Sequence, residues 1–270
     1  MGNLEALYFG YDTEEAATNM AVDEVLEGIA AATGHTFLRF YDTPRNAIVL
    51  SISDHPSVIK GSDEKIEISR RITGGKPIFL GSNTLSYSIE GSIDLIEGES
   101  KGSMLSNPNI LHNVLGTHIL EALKKVTGLG SDRMALGDVY SVTVDGKPIV
   151  GHAQHLSAKS FIYHGVIAID KWDAEFIKQR LVLREGDFER ISSLPYVKEF
   201  SSLDTQTLKR MIIEEMIKTF DLKSINAKEK NVVMERAKEL RANVYANSKW
   251  VLRSDEGLKK NATFCFLYSG

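Results

Sequence analysis

The sequence predicts an α+β protein with a central mixed, mostly antiparallel sheet that is packed with helices. Two observations favour this class. Several β-rich runs lie in the middle of the chain, with helical patterns before, between and after them. The regular alternation of strand and helix that a doubly wound parallel sheet requires is absent.

The composition of the 270 residues is that of an ordinary globular protein, with 43% hydrophobic and 25% charged residues. The net charge of −4 gives no basic field for nucleic acid or for an anionic membrane surface. The single cysteine, Cys265, excludes an internal disulfide and a multi-cysteine zinc site. The start of the chain has no signal-peptide pattern, and no run of about 18 apolar residues exists. We therefore expect a cytoplasmic protein that binds neither nucleic acid nor a membrane.

The first half of the chain is predicted to hold two helices and a set of strands. Asp12, with Glu15 three residues later, has the form of a capping box, and apolar residues at helical spacing predict a helix over 13–31. Helical period returns over 109–127, where glycines end it. Between these helices, β-rich runs predict strands at 36–41 and 47–53, a strand ending near Ile72, and another strand at 83–90.

The second half begins with a hairpin and ends in helices. Asp145-Gly146 stands between runs of alternating apolar residues, which is a strong signal for a type I′ hairpin. A strand at 161–170 follows, then helices at 173–183, 204–220 and 228–242, and a short strand, ATFCFLY, near the end. We expect one main domain over 1–200 and a helix-rich segment over 201–270 that packs on the same domain.

The stretch RRITGGK, residues 70–76, is the first candidate for chemistry. It lacks the upstream glycine of a P-loop, and proline follows its lysine, so it matches neither standard nucleotide loop. Its residue types still suit an anion, because arginine forks bind carboxylate or phosphate and glycines allow close backbone approach. The alternative is a Gly-Gly turn with solvated arginines.

Three histidines, His152, His155 and His164, lie in or near the predicted hairpin. Their spacing matches no metal-binding pattern. We therefore expect that these histidines do not form a metal site.

Taken together, the segments resemble the lipoate–protein ligase and octanoyltransferase family, which shares its fold with biotin–protein ligases. RRITGG resembles the Arg-Arg-x-[Ser/Thr]-Gly-Gly-Gly signature. The resemblance extends over most of the chain, in order, through NMAVDEVL, FLRFYDTPRNAIVLS, GDVYSVTVDGKPIVGHAQ, YHGVIAID and ANVYANSKW.

The resemblance implies an enzyme that activates lipoate or octanoate with ATP and magnesium as an acyl-adenylate. Such an enzyme passes the acyl group to a lysine of a lipoyl carrier domain, of the 2-oxoacid dehydrogenase E2 or glycine cleavage H protein type. An apolar tunnel holds the acyl chain, and a cationic lysine stabilises the charge that develops on the carbonyl oxygen and phosphate. A separate small accessory ligase domain is a further expected partner.

Matched position by position, the family pattern gives a set of candidate residues for substrate and adenylate binding. Asp138 is also the one candidate contact for magnesium. The set comprises Arg70, Arg71, Thr73, Gly74, Gly75, Asp138, Gly151, Ala153 and His164.

The sequence departs from the family pattern at several positions, and one of them is the lysine. That lysine lies three residues before the hairpin glycine, where this chain has Pro148. A two-residue turn that pairs Val144 with Lys147, Val142 with Ile149 and Tyr140 with Gly151 would place Lys147 on the face of Gly151, with Pro148 at a bulge or an edge. The catalytic candidates are therefore Lys147, after a shift of one residue, and Lys76, which replaces the third glycine of the signature. Leu80 and Gly137 replace a histidine and an asparagine of the pattern.

Two other functions stay open beside the ATP-dependent ligase. One is a non-catalytic relative that binds a lipoyl group or a carrier protein. The other is an acyltransferase between carrier proteins that works without a thiol. A cysteine-dependent transferase is disfavoured, because the family's cysteine position is Gly137 and Cys265 lies in an apolar run near the C-terminus.

Overall fold

The computed structural model describes residues 6–61, 66–93, 107, 109–138 and 140–255. Cys265 and the predicted strand ATFCFLY lie outside these residues. The described strands are β1 (Ala6–Thr13), β2 (Thr36–Asp42), β3 (Ala47–Leu50), β4 (Glu67–Arg70), β5 (Ile78–Leu80), β6 (Thr84–Ser92), β7 (Met134–Gly137), β8 (Ser141–Val144), β9 (Lys147–Leu156), β10 (Ser160–Ala168) and β11 (Lys223–Ser224).

The helices alternate with groups of strands along the chain, and most begin where the sequence predicts. They are α1 (Ala16–Thr33), α2 (Asn109–Thr127), α3 (Ala174–Arg180), α4 (Asp187–Ser192), α5 (Thr205–Thr219), α6 (Ala227–Leu240) and α7 (Ser248–Val251). A π-helical turn, Arg241–Tyr245, continues α6. Asp204 caps α5, as the sequence predicts, by accepting hydrogen bonds from the backbone amides of Gln206 and Thr207.

The central sheet has eight strands in the order β11-β1-β2-β6-β10-β9-β8-β7. Strand β1 pairs in parallel with β2 and β11, and the other neighbours pair antiparallel. A second sheet has the order β4-β3-β5. The predicted α+β class with a mixed, mostly antiparallel sheet is confirmed.

Helices cover both faces of the central sheet. His164 and Tyr163 are neighbours on β10 and therefore point to opposite faces. His164 contacts Asp23 of α1, whereas Tyr163 contacts His112 of α2. The first face is called the α1 face below, and the second the α2 face.

The start of α1 differs from the prediction. Residues up to Thr13 belong to β1, and the N-cap residue Glu15 makes no side-chain capping bond. The carboxylate of Glu67 caps the helix instead, because it accepts the amides of Ala16 and Ala17 at 2.9 and 2.8 Å. The predicted capping box is therefore wrong, and the cap comes from β4.

Candidate functional site

A small apolar pocket lies on the α1 face. It is bounded by α1, by strands β9 and β10, and by the second sheet. The side chains of Arg71 and His164 belong to its wall. The other lining residues are Met20, Tyr41, Val49, Ile78, Leu80, Gly151, His152, Ala153, Gly165 and Val166.

The side chain of Arg71 shapes the loop that follows β4. Its Nε donates to the hydroxyl of Thr73 at 2.8 Å, and its Nη2 donates to the carbonyl oxygens of Gly74 and Lys76 at 2.7 and 2.8 Å. Gly75 has a φ of +98°, and a Cβ at this residue would stand 3.0 Å from Nη2 of Arg71. The glycine is therefore required both by its backbone conformation and by the close approach of the arginine.

Thr73 connects this loop to the central sheet. Its hydroxyl lies 2.7 Å from Nε2 of His164, and Nδ1 of His164 lies 3.2 Å from a carboxylate oxygen of Asp23. Because Nδ1 faces a carboxylate, it carries the ring proton, and Nε2 accepts the proton of the Thr73 hydroxyl. Burial lowers the pKa of His164, so the imidazole is neutral near pH 7.

Asp23 is itself held from two strands. Arg39 of β2 donates to one carboxylate oxygen at 2.9 Å, and the Ser88 hydroxyl of β6 donates to the same oxygen at 2.8 Å. The guanidinium of Arg39 also donates to the side-chain oxygen of Asn19 at 2.6 Å. The pocket wall is thus continuous with a buried polar network beneath α1.

Arg70 points away from the pocket, in contrast to its neighbour. Its Nε donates to the carbonyl oxygens of Trp250 and Val251 at 3.1 and 3.0 Å, and its Nη1 donates to those of Ser51 and Asp54 at 2.7 and 2.8 Å. Burial, together with the charge of Arg253, lowers the pKa of Arg70 to about 10. Through these hydrogen bonds Arg70 links α7 to the loop after β3.

The β8–β9 hairpin departs from the predicted register. Asp145 and Gly146 both have positive φ, as a type I′ turn requires, and Val144 pairs with Lys147. Beyond that pair the predicted register is wrong. Thr143 pairs with Pro148, Val142 with Val150 and Ser141 with Gly151, so Ile149 is the extra residue of a bulge.

This bulge reverses the alternation of side chains along β9. Pro148 and Gly151 share one face of the sheet, and Lys147 lies on the other. Nζ of Lys147, an exposed residue, donates to the carbonyl oxygen of Ser193 at 3.3 Å. The expectation that Lys147 and Gly151 share a face is therefore wrong, and Lys147 does not line the pocket.

The remaining candidates divide between the pocket and the surface. Gly151 and Ala153 line the pocket, as the sequence predicts. Lys76 is buried on the loop that Arg71 holds, whereas Asp138 is exposed after β7. Within the ranges that the structure describes, no group of three or more His, Cys, Asp or Glu side chains could hold a metal ion.

The sequence prediction missed Asp23 and Arg39. A signal was present in α1, where Asn19, Asp23 and Glu27 recur every four residues in an otherwise apolar helix. Residues at this spacing share one helix face. All three are buried, which only the packing of α1 on the sheet shows.

Solved lipoate–protein ligases share the fold of this chain. A structure of the bipartite lipoate protein ligase of Thermoplasma acidophilum, described with its E2 lipoyl domain, matches with a TM-score of 0.71 at 17% identity and covers 95% of this chain and 98% of that one. A lipoate-protein ligase A bound with ATP matches with the same TM-score at 18% identity, over 94% of this chain and 100% of the other. At these identities the likeness concerns the fold.

The sequence itself identifies the family. Residues 15–221 match the model of the lipoyl protein ligase A/B catalytic domain, and the chain therefore belongs to that family. Among curated relatives, an octanoyltransferase LipM of Clostridioides difficile is 24% identical over 74% of this chain and 78% of its own length. Another octanoyltransferase LipM, of Carboxydothermus hydrogenoformans, is 28% identical over 88% of this chain and 94% of its own length.

Across the described ranges of the chain, no helix is long and apolar enough to cross a membrane.

Proposed function

We propose that this protein transfers an octanoyl or lipoyl group to a lysine of a lipoyl carrier domain. The observation that carries the proposal is the apolar pocket on the α1 face, which has Arg71 and His164 as its polar wall. Burial of an acyl chain against such a wall stabilises the complex by about 0.8 kcal/mol per methylene group. The carrier domains proposed as partners are of the 2-oxoacid dehydrogenase E2 and glycine cleavage H protein types.

The proposed acyl donor is a thioester on a second carrier protein. Two observations favour it over an adenylate. Position 148, on the face of Gly151, holds a proline, and Lys147 is directed to the carbonyl of Ser193. The curated relatives described above are also named octanoyltransferases.

The chemistry of this transfer needs no activation by ATP. The carrier lysine attacks the thioester carbonyl as a neutral amine, the new C–N bond forms and the C–S bond breaks. The leaving thiolate takes up a proton to become a thiol, and the amine loses one. Because Gly137 offers no thiol, we propose that the amine attacks the donor directly, without an acyl-cysteine intermediate.

An ATP-dependent ligase that forms an acyl-AMP is the second candidate. The observation that favours it is Lys76, a buried cation on the loop that Arg71 holds. In this reaction Lys76 would stabilise the charge on the acyl phosphate, and Asp138 would be the side chain offered to magnesium. A separate small accessory chain is proposed as a further requirement for this candidate, since the Thermoplasma relative is a bipartite ligase.

One experiment separates these candidates. The full chain is incubated with a lipoyl carrier domain and either octanoyl-carrier thioester or octanoate with ATP and magnesium, and the mass of the carrier is measured. We expect octanoylation from the thioester alone. Modification only with ATP would favour the ligase, and no modification from either donor, with retained octanoate binding, would favour a non-catalytic binding protein.

A further inference from the structure

A chain of hydrogen bonds joins the loop after β4 to α1 along one wall of the pocket. Nε of Arg71 donates to the hydroxyl of Thr73 at 2.8 Å, and that hydroxyl lies 2.7 Å from Nε2 of His164. Nδ1 of His164 lies 3.2 Å from a carboxylate oxygen of Asp23. All four residues are less than a tenth exposed. Because Arg71 and Thr73 follow a strand of the second sheet and His164 belongs to the central sheet, the chain joins the two sheets.

The direction of every bond in this chain is fixed. An arginine side chain has donors only, so the Thr73 oxygen accepts from Arg71, and the one hydrogen of the hydroxyl goes to Nε2 of His164. The ring proton of His164 therefore stays on Nδ1, where it needs an acceptor. The carboxylate of Asp23 is that acceptor.

An amide in place of the Asp23 carboxylate cannot complete the chain. Nη1 of Arg39 and the hydroxyl of Ser88 donate to one oxygen of Asp23 at 2.9 and 2.8 Å, and the other oxygen faces the imidazole of His164. An asparagine has a single side-chain oxygen, which the two donors would keep, so its NH2 group would face Nδ1–H of His164. The imidazole would then have to move its proton to Nε2, and the Thr73 hydroxyl would lose its acceptor.

The pocket lies between the two sheets that this chain joins. Val49 and Leu80 line it from the second sheet. Ala153 and Val166 line it from the central sheet. Gly75, in the loop that the chain holds, comes close to β9, because a Cβ at this residue would stand 3.9 Å from Cβ of Ala153. The hydrogen bond between the loop and β10 therefore helps to set the distance between the two walls of the pocket.

Packing alone does not require an ion pair beneath α1. A buried pair of charges such as Asp23 and Arg39 is often no more stabilising than apolar side chains of similar volume. What this pair supplies, and apolar side chains would not, is a fixed acceptor for Nδ1 of His164. Hydrogen bonds of defined direction also hold the groups that they join in one arrangement.

We propose that Asp23 is a positioning residue for acyl binding. Its carboxylate fixes the proton of His164 on Nδ1, and the resulting bond from Thr73 to Nε2 holds the second sheet at the distance that fits an octanoyl or lipoyl chain. Arg39 acts through Asp23, whose carboxylate it orients. The role involves no transfer of a proton, and it deepens the proposed function, on which it rests.

The first test compares Thr73→Val with Thr73→Ser. Thr73 does not line the pocket, so any effect on binding comes through the groups that it joins. Calorimetry with fatty acids of six to twelve carbons should show octanoate preferred by wild type. Thr73→Val should bind octanoate about 10-fold more weakly, the equivalent of one buried hydrogen bond, and with less preference for its length. Thr73→Ser keeps the hydroxyl and should bind octanoate more tightly than Thr73→Val. In transfer assays the loss should appear in KM rather than in kcat.

The second test is the tautomer of His164, read from the ¹⁵N shifts of its ring nitrogens and assigned with a His164→Gln variant. We expect the proton on Nδ1 in wild type and on Nε2 in Asp23→Asn. The matched control is Glu67→Gln, which changes a buried carboxylate that caps α1 but does not contact His164. It should leave the tautomer and the chain-length preference unchanged.

The outcomes separate this inference from the proposed function. A wild-type length preference in Thr73→Val, or an Nδ1 proton in a folded Asp23→Asn, would overturn the positioning role while octanoyl transfer by wild type stands. If Asp23→Asn does not fold, the Thr73 variants decide, because they leave the ion pair of Asp23 and Arg39 in place. A wild-type chain that neither binds nor transfers octanoyl groups would overturn the proposed function together with this inference.

Discussion

At the scale of single residues, Arg70 and Arg71 show that adjacent identical side chains have different tasks. Arg71 follows the end of β4 and turns toward the pocket, where it bonds the loop that contains Gly75. Arg70 is fully buried and bonds backbone carbonyls of two other segments. The sequence predicts that arginines here bind acceptors, but it does not show whether those acceptors belong to a ligand or to the protein.

The two candidate lysines should differ in their effect on acyl transfer. In the ATP-dependent reaction, where Lys76 is proposed to stabilise the acyl phosphate, Lys76→Ala should lower the rate about 10²–10³-fold, the usual cost of losing one group that stabilises a developing negative charge. Lys147→Ala removes only an exposed contact to the Ser193 carbonyl, so its rate should equal that of the wild type. Steady-state transfer to the carrier domain measures both variants. A loss confined to Lys147→Ala would reverse this assignment.

The buried Glu90 should make stability depend on pH in a defined direction. Its pKa is higher in the folded chain than the ordinary value of 4.5, so the folded state binds more protons than the unfolded state above that pH. Stability therefore falls as pH rises from about 4.5 toward the folded-state pKa. Urea unfolding at several pH values should show Glu90→Gln gaining stability over wild type as the pH rises. A constant difference between the two proteins would contradict the raised pKa.

At the scale of elements, the hairpin marks the limit of what local sequence predicts. The Asp145-Gly146 turn follows from its own residues, because both need positive φ. The register beyond it depends on the bulge at Ile149, which follows a proline that cannot donate a ladder hydrogen bond. The proline predicts that a bulge or an edge occurs, but not which residue is extruded. One residue of register decides whether Lys147 faces the pocket.

The cap of α1 depends on a strand about 50 residues away along the chain. The carboxylate of Glu67, in β4, accepts hydrogen bonds from two backbone amides of the first helical turn. We expect Glu67→Ala to lower the free energy of unfolding by about 1 kcal/mol, the usual cost of a lost cap. Chemical denaturation checks this. Glu15→Ala, at the N-cap position without a side-chain capping bond, is the control and should cost less. The reverse order would indicate that the local carboxylate caps the helix.

At the scale of the whole molecule, the C-terminal segment belongs to the same fold as the rest. Strand β11 pairs with β1 at the edge of the central sheet, and residues of α5 and α6 join the common buried core. The sequence predicts α5 from its cap and its period, but β11 has only two residues and gives no pattern. The division at residue 200 stays a prediction. Long periodic elements were predictable, whereas short edge strands and the polar network under α1 required the tertiary packing.

Three buried histidines should make the whole molecule sensitive to acid. Burial lowers the pKa of His112, His152 and His164 below the ordinary value of 6.5. Below about pH 6.5 the unfolded chain therefore binds more protons than the folded chain, and the free energy of unfolding falls as the pH drops. His152→Phe should lessen this loss in thermal melts between pH 7 and pH 5. Equal slopes for wild type and His152→Phe would contradict the expectation.

The most direct test of the account is the binding of octanoate to the pocket on the α1 face, measured by titration calorimetry at several temperatures. The account predicts binding by the wild-type chain with a negative heat-capacity change, the signature of apolar burial. It also predicts loss of binding in Val166→Phe, which fills the pocket, and retained binding in Leu203→Phe, a matched change at an exposed leucine. Undiminished binding by a folded Val166→Phe would place the acyl chain elsewhere and contradict the account.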